Sequence, residues 1–122
     1  MATTNAVLGM NVQVGSGVYT ALNAVAVNVT SNAFNFTCVH CKASLQVILT
    51  GGPNAGTVTL QGSLDGVNFD TTGTGLAQFV IGTDTSGALK FVVDKCFTAL
   101  QVVLAALGGG ASPTVTALIG AY

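Results

Sequence analysis

Ala43-Ser44-Leu45-Gln46-Val47-Ile48-Leu49-Thr50 runs into Gly51-Gly52-Pro53-Asn54-Ala55-Gly56 and resumes as Thr57-Val58-Thr59-Leu60-Gln61-Gly62, and this stretch decides the fold. Ala43, Leu45, Val47 and Leu49 alternate with Ser44, Gln46 and Ile48, and Val58, Leu60 and Gly62 alternate with Thr57, Thr59 and Gln61. A period of two places one set of side chains on one face of a strand. The intervening glycines, proline and asparagine supply the backbone freedom and local hydrogen bonds of a turn. The stretch therefore reads as two half-buried strands joined by a loop.

The same pattern continues on both sides. Val25, Val27 and Val29 alternate with Ala26 and Asn28, and apolar segments follow at 79–81, 89–93, 100–104 and 115–119. Abundant Thr and Val favour extended backbone. Turn signals lie at Asp65-Gly66, 71–75, 83–87 and 108–113, and no segment carries a helical stripe. About eight short strands in one chain predict an all-β fold, a single antiparallel β-sandwich, jelly-roll-like or Ig-like; a βαβ fold would need helices between strands. Residues 21–122 form the expected sandwich domain. Residues 1–20 are less regular, and Val12, Val14, Val18 and Tyr19 suit an N-terminal arm or edge strand packed on a neighbour.

Composition limits the functions. The 122 residues fit one domain, half of them are hydrophobic, and only 6% are charged. Three lysines against four aspartates, with no Arg and no Glu, give a net charge of -1, too little positive charge to neutralise a phosphate backbone or to seek an anionic membrane. The most apolar window, 102–107, runs into Gly108-Gly109-Gly110, far short of the roughly 18 to 20 residues of a spanning helix. Met1-Ala2-Thr3-Thr4-Asn5 places no basic residue before an apolar run, so no secretory signal is expected and the chain reads as soluble and made in a cytoplasm. A soluble chain this apolar is expected to hide surface against copies of itself or a partner.

Cys38-Val39-His40-Cys41, with Cys96 downstream, is the one cluster of metal-ligand residue types. In a regular strand Cys41 would share a face with Leu45 and Val47 while Cys38 and His40 face the other way, so one tetrahedral zinc is disfavoured. No helix N-terminus is predicted to activate a redox dithiol. A disulfide from Cys96 to one of the pair requires neighbouring strands, and the default is three small buried thiols. His40 has no predicted catalytic partner. Asp65, Asp70, Asp84 and Asp94 sit in or beside predicted turns, where they cap backbone; Asp65 and Asp70 around Gly66 and Asn68 resemble a calcium loop only loosely, without its bidentate Glu. Serines 16, 31, 44, 63, 86 and 112 lack a nucleophile-elbow motif. Gly15-Ser16-Gly17 and Gly108-Gly109-Gly110 precede no predicted helix and read as flexible loops, not phosphate cradles. The sequons at Asn28 and Asn35 would matter only in a secreted protein. Phe69, beside Asn68 and Asp70, is the nearest approach to a sugar platform, but Phe without Trp is ordinarily core. Catalytic, cofactor and metal residues are thus predicted to be none.

Gly56-Thr57-Val58-Thr59-Leu60-Gln61-Gly62-Ser63-Leu64-Asp65-Gly66-Val67-Asn68-Phe69 resembles a strand and turn of small structural proteins of tailed bacteriophages. The resemblance extends loosely over 43–122, through strands similar to 97–104 and 114–120. Such proteins often carry basic residues in the strand near Phe97, and this chain has none from 97 to 104. The resemblance implies a virion accessory protein, a head decoration or cement protein that forms small homo-oligomers on the major capsid protein at the capsid exterior, where trimers would suit threefold positions. Cement acts by burying apolar area between subunits, at about 25 cal/mol per Å² before entropic losses, and needs no catalytic group. A carbohydrate- or receptor-binding tail module and a self-assembling coat subunit stay open, with a hydrolase behind them. The arm is expected to contribute contacts from Ala2 to Tyr19, and Val58, Leu60 and Phe69 are expected to be buried.

Overall fold

The alternation at 43–50 is realised as a strand with Ala43, Leu45 and Val47 buried and Ser44, Gln46 and Ile48 on its other side. The computed structural model describes residues 12–122, in which the strands are β1 (Val12–Val14), β2 (Gly17–Val25), β3 (Val29–Thr30), β4 (Phe34–His40), β5 (Ala43–Thr50), β6 (Ala55–Ser63), β7 (Ala77–Val80), β8 (Leu89–Val92), β9 (Phe97–Gly108) and β10 (Thr114–Ala121). Among these residues no helix is long and apolar enough to cross a membrane. One sheet has the order β1-β4-β9-β6-β7, with β3 also on β9, and the other is β2-β10-β5-β8. Strand pairs are antiparallel except β1 with β4.

The pairings nest. β6 pairs β7, β5 pairs β8, β4 pairs β9 and β2 pairs β10, as in one long hairpin whose successive rungs fall alternately in the first and second sheet. That is a jelly roll, which settles between the two sandwich topologies expected. Two antiparallel sheets can pack only by turning one apolar face of each inward. Val58, Leu60, Leu100, Val102 and Leu104 fill the first inner face, and Leu45, Val47, Val115, Ala117 and Ile119 the second. Burying a Val, Leu or Phe contributes about 1.5–3 kcal/mol each, so this layer is the main source of stability.

Several expectations are corrected. The run of Val25, Val27 and Val29 is no strand: β2 stops at Val25, and Val27 is exposed before β3. Register shifts interrupt the β2–β10 pairing between Val115/Ala117 and Ala117/Leu118, so Tyr19, Leu22 and Val25 meet Ile119, Ala117 and Val115 at a spacing of three. β-bulges turn a period of two into that spacing. Phe69 is only half-buried, whereas Val58 and Leu60 are fully buried. The Gly108–Gly110 segment is not a loose loop: a Cβ on Gly109 would collide with the Asn54 side chain and one on Gly110 with the Gly51 carbonyl, so glycine is there for close approach to 51–54. β2 includes residues on both sides of position 20. Of the N-terminal contacts expected from Ala2 to Tyr19, the part before residue 12 lies outside the described residues.

Candidate functional site

Alternation that buries one side of the second sheet presents the other to solvent, and the register lines up what it presents. Val18, Gly120, Ser44 and Phe91 form one cross-strand row, and Thr20, Leu118, Gln46 and Leu89 the next. None of these residues is ionisable. Their polar atoms are partly satisfied within the chain: Ser44 Oγ shares a 2.8 Å hydrogen bond with the Tyr122 hydroxyl, and Gln46 Nε2 donates to the Gly87 carbonyl at 2.9 Å. What remains is apolar. Val18 is 70% exposed, Phe91 64%, Tyr122 57% and Leu89 53%, and they surround a shallow groove of about 240 Å³ floored by Gly120. The single lysine of β8, Lys90, lies opposite Leu45 on the inner side of the strand and pairs with Asp84 at 2.9 Å, so the two rows carry no charge; the exposed Lys42, whose carbonyl accepts from the Tyr122 amide, sets a positive charge at their border. Exposed apolar side chains gathered in this way are the candidate for an interaction surface.

The sequence-level candidates for chemistry gather at one corner. Cys41 is disulfide-bonded to Cys96, and Cys38 is a free, exposed thiol, so the expectation of three buried thiols is overturned. The physical reason is the nested pairing: the chain leaves the first sheet at Cys41 between β4 and β5 and re-enters it at Cys96 between β8 and β9, and these strands are neighbours in both sheets. Parity also fails here, because the β4–β9 register slips between Asn35 and His40. Thr37, Cys38 and Val39 are exposed, while His40 is buried against Phe36 and Phe97. Cys41 is committed to Cys96, and among the described residues no three His, Cys, Asp or Glu side chains come together where they could hold a metal ion.

His40 does have a partner, which sequence spacing could not show. Its Nδ1 lies 2.9 Å from the Cys38 carbonyl, an acceptor only, so Nδ1 carries the proton and Nε2 accepts from the Ser16 hydroxyl at 2.7 Å. This arrangement ties the turn before β2 to the slipped segment of β4. A backbone carbonyl stands where an acyl-transfer triad has its carboxylate.

Asp65, Asp70 and Asp84 are turn caps. Asp65 Oδ1 accepts from the N–H groups of Val67 and Asn68 at 2.8 and 2.7 Å and from the Ser63 hydroxyl at 2.8 Å, and Oδ2 accepts from Asn68 Nδ2 at 2.7 Å. Those bonds, led by the Asn68 and Val67 amides, hold its carboxyl well below the usual carboxylate range. The Asp65 oxygens that a calcium loop would offer are thus engaged by the protein's own donors. Asp70 is lowered by the Thr72 hydroxyl and amide, and Asp84 by the Val80 amide and Lys90.

Fold and surface together define a class: a jelly-roll sandwich with one outer sheet face whose central rows carry no charge and expose Val18, Leu89 and Phe91. Among solved structures, the crystal structure of the SPBc2 prophage-derived protein YomS is similar, with a TM-score of 0.57 over 88% of this chain and 93% of that one, at 8% sequence identity. At this identity the likeness is one of fold. No protein-family model and no curated protein matches the sequence.

Proposed function

We propose that the chain is a structural protein of a bacteriophage particle that decorates the capsid exterior as cement. Its site of action is the outer face of the β2-β10-β5-β8 sheet, and the observation that carries the reading is the exposure of Val18, Leu89, Phe91 and Tyr122 around cross-strand rows that carry no charged residue, with Lys42 at their edge. An apolar face held rigid by a regular β5–β10 register loses little conformational entropy when it docks, which favours a permanent contact with the major capsid protein. The likeness to a prophage-derived protein supports a phage origin. The mechanism is burial alone, without a catalytic group or cofactor.

The test is co-sedimentation with capsids of the parent phage that lack this protein. The native chain is expected to bind and to raise the temperature of capsid disruption. Phe91→Asp combined with Leu89→Asp is expected to lower capsid affinity by at least about tenfold with an unchanged melting temperature, because both side chains are more than half exposed. Unaltered binding by the double variant would move the docking surface elsewhere, and no binding by the native chain would overturn the capsid role.

A further inference from the structure

The outer face of the first sheet differs from that of the second. Thr57, Thr59, Gln61 and Ser63 of β6 pair with Ala105, Val103, Gln101 and Ala99 of β9, an uncharged and largely polar surface. The connection 64–76 returns over part of it: the Asp70 amide donates to the Gly62 carbonyl, the Leu76 amide to the Leu60 carbonyl, and a Cβ on Gly66 would come within 2.6 Å of Asn35 Oδ1. Between this loop and 30–33 lies an open cleft of about 530 Å³, within the size range of small-ligand sites. Phe69 lines it and also a second cleft of about 370 Å³ whose lining includes Asp70 and Lys95, so the two depressions adjoin at this half-buried residue.

We propose that the larger cleft binds a neutral oligosaccharide, with Phe69 at its edge as the platform. A pyranose ring presents an apolar C–H face and a rim of hydroxyls that both donate and accept, and the cleft has complements for each. The Phe69 ring offers a π-face to the C–H groups. Thr30 and Thr71 add hydroxyls without a hydrogen-bond partner among the described residues, and Gln101, whose Nε2 is committed to Gln61 Oε1 at 2.8 Å, keeps its own Oε1 as an acceptor. The residues lining the larger cleft include no charged side chain, which selects against sulfated, sialylated or phosphorylated ligands. The buried Ser31 hydroxyl is already used, donating to the Asn32 carbonyl and accepting from the Val102 amide, and it shapes the cleft floor. Because the cleft and the apolar face belong to opposite sheets, a molecule docked by one keeps the other free.

The test is a glycan array carrying neutral and anionic structures, followed by NMR titration of isotope-labelled protein with maltohexaose, cellohexaose, chitohexaose and the best array ligand. Binding of at least one neutral glycan is expected, with amide shifts centred on Gly66, Val67, Phe69 and Gln101. Phe69→Ala is expected to weaken it by about tenfold, and Gln101→Leu, a sheet substitution that spares the loop, by a smaller factor. The Phe91→Asp variant, on the opposite sheet, is expected to bind the glycan like the native chain, so failure here is separable from failure of the capsid role. Capture of anionic glycans alone, shifts lying outside the cleft, an unchanged affinity in both cleft variants, or no glycan bound would each overturn the proposal.

Discussion

Asp65 shows how much a single residue organises. Its carboxylate holds the turn after β6 through four hydrogen bonds, and Asp70 and Asp84 act similarly at two further connections. All three have folded-state pKa values below the ordinary 3.8, so their contribution to stability is full above that value and is lost as pH falls through the lower folded-state values. The melting temperature is therefore expected to be flat from neutral pH to about pH 5 and to fall below about pH 4, with a shallower acid limb in Asp65→Ala. An equally steep limb in that variant would remove Asp65 from the account. In the core, Leu60→Ala is expected to cost about 2–5 kcal/mol in urea unfolding, and Phe69→Ala well under half as much, because Leu60 is fully buried and Phe69 is not. Leu60 was legible in the sequence because period-two alternation states burial directly. Phe69 was not: it follows a turn, where neighbouring positions do not report which way a side chain points.

Elements were legible in proportion to their regularity. β5 and β10 pair in an uninterrupted register with Ala43, Leu45 and Val47 of one and Val115, Ala117 and Ile119 of the other turned inward, and reading them needed nothing beyond the sequence. β2 and β4 are irregular, and each register slip removes the parity on which the reading depended. The disulfide was illegible for a different reason, since it depends on two pairings between distant strands that no local pattern encodes. Cys41 and Cys96 are separated by 55 residues, and a cross-link of that span stabilises by about 4 kcal/mol through the entropy it removes from the unfolded chain. Reduction is expected to lower the melting temperature by several degrees or more, and Cys41→Ser with Cys96→Ser to reproduce the reduced value. A thiol reagent should modify one cysteine per native chain, Cys38, and all three after reduction and unfolding. Modification of all three in the native, unreduced protein would contradict the pairing.

At the scale of the whole molecule, exposed apolar side chains gathered on one face and a low overall charge make association the expected behaviour. Light scattering coupled to size exclusion is expected to give the mass of three copies of the 12.1 kDa chain; a monomer would confine ordering to the particle, and megadalton species would point to a self-assembling coat. The nested pairing has a further consequence for synthesis. β10 is the last of the strands to be made, yet it lies between β2 and β5 in its sheet. Until it emerges, two strands hold open backbone edges that nothing in the nascent chain can cover, and such edges recruit other chains. A stop introduced just after the glycine-rich segment 108–113 would leave both edges open for good, and its product is expected to aggregate where the full chain folds.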